Sequence, residues 1–205
     1  MNVIEKILQE NLTIESENLL IYPCYLEPKT ILDLYEIYSD EKNVIGYTNT
    51  FNDHTDFIHF MMDKIYRHQN ELKGYIAFII ELKSENKIIG VRNIILDGVY
   101  NYKNLRMDNN ENVIAEIIIN RKYWKKNYAT EASNMIFNYL KTKGIKRVAT
   151  FIHKNNISAQ RMSFKLGFNE IDPHTFVSNE RFNNDFSILC SDINNSTIYI
   201  KHLTS

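Results

Sequence analysis

The 205-residue sequence predicts one mixed α/β domain, residues 15–205, preceded by an N-terminal appendage at 1–14. Three observations carry this prediction. Apolar residues make up 44% of the chain and charged ones 24%, ordinary for a chain with a buried core and too apolar for a disordered one. The hydrophobic period alternates between two and 3.6 residues in the order strand, two helices, three antiparallel strands, helix, strand, helix, strands. No repeat or low-complexity run interrupts that order, and it is not the regular alternation of a doubly wound sheet.

Residues 2–9 form a short helix with Val3, Ile4, Ile7 and Leu8 on one side and a weak N-cap. The run "NLLIYPC" is a first strand, stopped by Pro23, which lacks a backbone donor. Pro28 opens a helix that carries Ile31, Leu32, Leu34, Tyr35 and Tyr38 at helical spacing and ends near Asp40. Asn52 or Asp53 caps a second helix with Phe57, Ile58, Phe60, Met61, Ile65 and Tyr66. His54, His59 and His68 along it have no metal-ligand spacing and are expected on its surface.

"YIAFIIEL" and "KIIGVRNIIL" form a hairpin across "KSENK". A polar segment from Asp97 to Asn112 is longer than a connection requires, and it is expected either to border a substrate site or to be simply mobile. "VIAEIII" is the next strand. From Ala129 the period becomes helical through Ala132, Ile136, Tyr139 and Leu140, with Gly144 as the stop. "KRVATFI" is a strand. A short helix capped by Asn156 or Ser158 and closed by Gly167 follows, then strands near Phe168, at 183–190 and at 196–203.

A net charge of −1 argues against a general nucleic-acid binder, which shows a wide basic field. Two cysteines, Cys24 and Cys190, make no disulfide framework, the N-terminus lacks the pattern of a signal peptide, and no window is apolar enough for a membrane span. The expected location is the cytoplasm, without nucleic-acid or membrane partners.

The chemistry concentrates in "AEIIINRKYWKKNYATEA", residues 115–132. A strand that runs through a tight turn into a helix gathers unpaired N–H groups and the positive end of a helix dipole at one point, which suits a phosphate. Arg121, Lys122, Lys125 and Lys126 add charge to it. Tyr123 and Trp124 are expected to pack the strand against the helix. Tyr22, Phe57 and Tyr100 are read equally well as pocket lining or as core.

This stretch resembles the acetyl-CoA-binding motif of the GNAT N-acetyltransferases, in which a strand runs into a "YWGKGYATEA"-like turn and helix. "NNISAQRMSFKLGF" is similar to the second signature of that family. "SENLLIYPC" and "NNDFSILCSDI" are similar to the opening and closing strands of the branch with the ribosomal-protein N-terminal acetyltransferases. The four landmarks keep family order over residues 16–193.

The resemblance implies an α+β fold with a central, mostly antiparallel sheet, splayed between the strand ending at Ile119 and the strand 147–152, and flanked by helices. It implies acetyl-CoA as co-substrate and a primary amine, on a protein N-terminus or a small molecule, as acceptor. Ile117, Ile118 and Ile119 would hold the pantetheine through their backbone. Lys125, Lys126, Asn127, Tyr128, Ala129 and Thr130 would form the pyrophosphate turn, and Asn156 would contact the cofactor arm. Glu116 is the first candidate for the base and His153 the second.

Lys125 and Asn127 stand where the family usually has glycine, Ser163 where many relatives have an acidic Tyr, and Ala159 where the usual residue is Ser. The two lost glycines and Ser163 are the features that support the alternative, a non-catalytic acyl-CoA-binding or protein-interaction module. A homodimer formed by edge pairing of strand 196–203 is a further expectation.

Overall fold

The computed structural model describes residues 1–43, 51, 53–96, 112–171 and 196–203. Strands β1 (Ile14–Glu15), β2 (Leu19–Pro23), β3 (Tyr75–Leu82), β4 (Lys87–Leu96), β5 (Asn112–Ile119), β6 (Arg147–His153), β7 (Asn169–Ile171) and β8 (Ser196–His202) form one sheet in the order β1-β2-β3-β4-β5-β6-β8-β7. Every pairing is antiparallel except β5 with β6. The expected strand at 183–190, the loop from Asp97, Tyr100 and Asn52 lie outside the described residues.

Helices α1 (Val3–Gln9) and α4 (Tyr128–Thr142) cover one face of the sheet. There Ile4, Ile7, Ala132, Ile136, Phe137 and Leu140 meet Ile94, Val113, Ala115 and Val148. Helices α2 (Pro28–Tyr38) and α3 (His54–Met62) cover the other, with Leu34, Ile37, Phe57 and Met61 against Val91, Ile95, Ile114 and Ile118. Alternation along each strand divides the two sets. Phe57 is fully buried among Tyr38, Phe51 and Phe60, so of its two readings core is the one observed.

Local signals explain most boundaries. Pro28 lies in the first turn of α2, where a missing N–H costs nothing. The Asp53 side chain accepts from the amides of Thr55 and Asp56 to start α3, and Asn156 accepts from Ala159 N–H to start α5 (Ile157–Lys165). Gly144 and Gly167 end α4 and α5 at φ +90° and +80°.

Several expectations are corrected. The cap of α1 is not weak: Asn2 and Glu5 form a reciprocal capping box, and Val3, Ile4 and Ile7 are buried in the core. Helix α3 runs on as a π-helix over Asp63–Glu71, which turns His68 inward to 5% exposure. His68 is therefore not a surface residue. Burial lowers the proton affinity of its ring, with Lys64 adding to the effect and Asp63 opposing it. Strand β8 has neighbours on both sides, β6 and β7, so the edge expected to pair across a dimer is already occupied.

Helix α5 and the strand pair β6–β8 stand on the far side of a gap. β5 and β6 are bonded only over Asn112–Arg147, Val113–Val148 and Ile114–Ala149, then diverge. Each keeps its other neighbour along most of its length, β5 on β4 from Val113 to Ile119 and β6 on β8 throughout. If α1 is core rather than trailing chain, Ile4→Ala should cost about 2–5 kcal/mol in a urea unfolding experiment. A loose N-terminal segment would give a change near zero.

Candidate active site

The divergence of β5 from β6 opens a small cleft of about 70 Å³. Its walls include Arg92, Glu116 and Ile117 on one side and Thr150, His153, Asn156, Ala159, Met162 and Ser163 on the other. Among the described residues, the edge of β5 that faces β6 has no ladder partner past Ile114. Such an edge can take an extended, amide-bearing ligand as an added strand.

The turn at the end of β5 is set by backbone conformation. Lys125 and Asn127 have φ of 63° and 68°, both left-handed. These are the two positions where glycine was expected, and the chain holds the glycine-like conformation with side chains attached. Asn tolerates that region well, whereas Lys is strained there. Asn127 starts α4 without capping it by its side chain, because its Oδ1 accepts from the Lys165 ammonium at 2.6 Å. The Thr130 and Glu131 amides donate to the Asn127 carbonyl at 3.1 and 3.0 Å, and the Tyr128 and Ala129 amides come before them at the open end of the helix.

The four cations of the motif divide. Arg121 pairs with Asp40 at 2.9 Å and Lys122 with Glu36 at 2.6 Å, so both brace the turn against α2. Among the described residues neither Lys125 nor Lys126 has an ion-pair partner within 4 Å, and the Lys126 ammonium lies 5.4 Å from the centroid of the Tyr123 ring. Tyr123 packs as expected and donates to Glu85 at 2.6 Å. Trp124 does not: it is 41% exposed and is held by its indole N–H on the Ile119 carbonyl at 2.7 Å.

The structure brings Glu116, His153 and Asn156 to one cleft. Glu116 alternates with Ile114 and Ile118, so its side chain belongs to the α2/α3 face, directly opposite Asn93 of β4. Ile118 is buried on that face, while Ile117 is half-buried and lines the cleft. Asn156 caps α5 and lines the cleft at once. His153 Nδ1 accepts from the Asn155 amide at 3.1 Å, which requires the neutral ring to carry its proton on Nε2.

A search of the known families finds the acetyltransferase (GNAT) domain matching residues 25–169. The chain belongs to the GNAT acetyltransferases. No curated protein matches it by sequence. Among solved structures, an acetyltransferase of the GNAT family from Bacillus anthracis is 19% identical, with TM-score 0.62, covering 93% of this chain and 98% of its own. A ribosomal-protein alanine acetyltransferase from Vibrio fischeri is 14% identical, with TM-score 0.55 and coverage of 78% and 84%. A spermidine N-acetyltransferase from Vibrio cholerae, solved with CoA and spermine, is 15% identical, with TM-score 0.56 and coverage of 74% and 82%. At these identities the likeness is one of fold.

Sequence reasoning missed several residues around this GNAT cleft. Arg92, 2% exposed, donates to Ser133 Oγ at 2.9 Å and stacks over Phe137, while the Ser133 hydroxyl donates to the Ala129 carbonyl at 2.6 Å. That chain ties β4 to the first turn of α4. Gly90 of β4 stands so close to β5 that a Cβ there would collide with the Ile118 carbonyl and the Ile119 side chain. Lys165 was missed because only the fold brings α5 to the turn.

Two outcomes follow from the turn and its braces. Lys125→Gly should raise stability by about 0.5–1 kcal/mol through relief of left-handed strain, and Asn127→Gly by less, both read from denaturant midpoints. The Glu36 carboxyl is held down at about 2 by hydrogen bonds from Lys122 and then Lys87. A depressed carboxyl stabilises the fold above its unfolded value of 4.5 and loses that contribution as pH falls toward 2. The melting temperature should therefore drop more steeply between pH 4.5 and 2 in the native chain than in Glu36→Gln.

Proposed function

We propose that this chain is a cytoplasmic, acetyl-CoA-dependent N-acetyltransferase that moves an acetyl group to a primary amine by direct attack in a ternary complex. The observation that carries the reading is the turn at 125–127. Two non-glycine residues hold the left-handed backbone at the start of α4, and α5, which lines the cleft between the splayed strands, reaches that turn through Lys165. Strain of that kind persists only where the surrounding structure enforces it.

In this reading the pyrophosphate of acetyl-CoA lies over the Tyr128 and Ala129 amides, with Lys125 and Lys126 supplying charge and Asn127 and Thr130 shaping the turn. The pantetheine runs along the unpaired edge of β5 at Ile117, Ile118 and Ile119, opposite Asn156. The acetyl carbonyl then lies beside Glu116. Glu116 serves as base, because a carboxylate accepts protons. His153 with its Nδ1 engaged presents an N–H instead, so it is the weaker candidate for that role. Ser163, 2% exposed in the cleft, has too high a pKa to act as an acid, and a thiol of pKa about 8.5 leaves as thiolate without one.

The acceptor class is drawn from the relatives named above, one acting on a protein alanine and one on spermidine. A protein N-terminus and a small amine are both retained. Homodimerisation through β8 is not part of the reading.

Titration calorimetry with acetyl-CoA should show binding, and no heat at millimolar ligand would sink the proposal. Thiol release should rise with at least one member of a panel of N-terminal peptides, polyamines and amino acids. Glu116→Gln should lower kcat by about 10²-fold or more, and His153→Gln by less. Binding of CoA without amine-stimulated thiol release would instead assign a non-catalytic acyl-CoA-binding module.

A further inference from the structure

Trp124 is the one tryptophan of the chain, and it stands 41% exposed between the end of β5 and the start of α4. It does not pack into the core, yet it is held at two points. Its backbone N–H donates to the Arg121 carbonyl at 3.1 Å, and its indole N–H donates to the Ile119 carbonyl at 2.7 Å. A ring fixed in this way loses little further freedom when a ligand covers it.

The bond to Ile119 places the indole relative to the gap between β5 and β6. Antiparallel strands alternate between residue pairs that exchange hydrogen bonds and pairs that do not. The Asn120 amide donates to the Ile89 carbonyl at 2.8 Å, one step beyond the pairing of Gly90 with Ile119. Asn120 and Ile118 therefore turn their backbone groups toward β4, whereas Ile119 and Ile117 turn theirs to the other side, toward the gap. The carbonyl of Ile119 is the last outward-facing acceptor of β5, and the Trp124 indole occupies it.

This ends the strand edge as a track for a ligand. An extended molecule paired with Ile117 meets the indole at the next outward-facing residue and must leave the strand direction there. Ahead of it lie Lys125 and Lys126 and then the first amides of α4, at Tyr128 and Ala129.

We propose that Trp124 is a cofactor-contact residue that receives the pantoyl segment of acetyl-CoA: the indole closes the path along β5, and its exposed face packs on the geminal methyl groups where the cofactor bends toward the pyrophosphate turn. This rests on the reading of the cleft and the turn as the acetyl-CoA site. The order of groups in the cofactor matches the order of surfaces in the protein. From the sulfur outward come the amides of pantetheine, then a compact quaternary carbon with its methyl groups, then the pyrophosphate and the nucleotide. Amides suit the strand edge, the methyl groups suit an apolar ring, and the phosphates suit the helix start with its lysines. Stacking on adenine is the other use of an exposed indole. The position of the ring argues against it, because the indole N–H sits on the strand edge, on the sulfur side of the phosphates, while the nucleotide lies beyond them.

The test uses the single tryptophan as its own probe. Acrylamide quenching of its fluorescence is measured in the native chain alone and with saturating acetyl-CoA, 4′-phosphopantetheine or 3′,5′-ADP, and calorimetry follows the binding of each ligand separately. Acetyl-CoA and 4′-phosphopantetheine should protect the indole from the quencher, and the nucleotide should not. In a second arm, Trp124→Ala should raise the Kd of acetyl-CoA about tenfold and leave that of 3′,5′-ADP unchanged.

Acetyl-CoA that binds without protecting the indole overturns the proposal and leaves the acetyltransferase reading standing. Protection by 3′,5′-ADP also overturns it, because the ring then serves the adenine. An absence of acetyl-CoA binding overturns both. The quenching measurement needs no variant, so it decides the matter even if Trp124→Ala fails to fold.

Discussion

The structure depends on a backbone constraint at one place, the short parallel pairing of β5 with β6. Three residue pairs join them, and beyond Ile114 and Ala149 each strand is committed to its outer neighbour. A strand edge inside a sheet with no partner is costly unless something else satisfies its polar groups. The close approach of β4 to β5 at Gly90 holds the end of β5 to its own side of the gap, since a side chain there would push the two strands apart. The gap is thus built into the sheet and is not a fault in its packing: the cleft lies in it, and α5, which lines the cleft, is tied to the turn by Lys165 and Asn127.

The second element of the design is strain located at the turn. Lys125 and Asn127 adopt a backbone that glycine would take more easily, and the cost is offset by bonds that reach the turn from several directions. Lys165 holds the Asn127 side chain, Arg121 and Lys122 brace the segment on Asp40 and Glu36, and Trp124 is fastened to Ile119. Arg92 and Ser133 fix the first turn of α4 from beneath. With Asn127 engaged by Lys165, its side chain does not cap α4. Lys125 therefore does not break the motif; its side chain is exposed and its backbone follows the path that glycine would.

Local structure was legible in the sequence wherever one residue type decides a backbone event. Pro28, Asp53, Asn156, Gly144 and Gly167 mark their helix ends by mechanisms that act within four residues. The capping box of Asn2 and Glu5 belongs to the same class and was open to the same reading, although the buried face of α1 depends on a sheet strand far away in sequence. The π-helical segment was not legible, because the choice between i+4 and i+5 bonds depends on what the helix docks against. Gln69 is held by Cys24 and Ala77, and that docking turns His68 inward. The order of β8 between β6 and β7 is likewise a tertiary fact. The site divides in the same way: motif spacing marks the turn and Glu116, while Arg92 and Lys165 reach it only through the fold.

With Glu116 as the proposed base, its place on the α2/α3 face has a further consequence. Helix α4 covers the opposite face, so under the proposal a cofactor bound at its first turn approaches Glu116 through the gap between strands. On the α2/α3 side the hydrogen-bonded set of Tyr38, Tyr75 and Asn93 is buried, and the described space beside Glu116 is the cleft itself. Under the proposal, donor and acceptor therefore share the gap, and a direct attack asks the amine to approach the thioester carbon there while the pantetheine is held along the strand edge. The same divergence of β5 and β6 that separates two strand edges would then supply the space in which the two reactants meet.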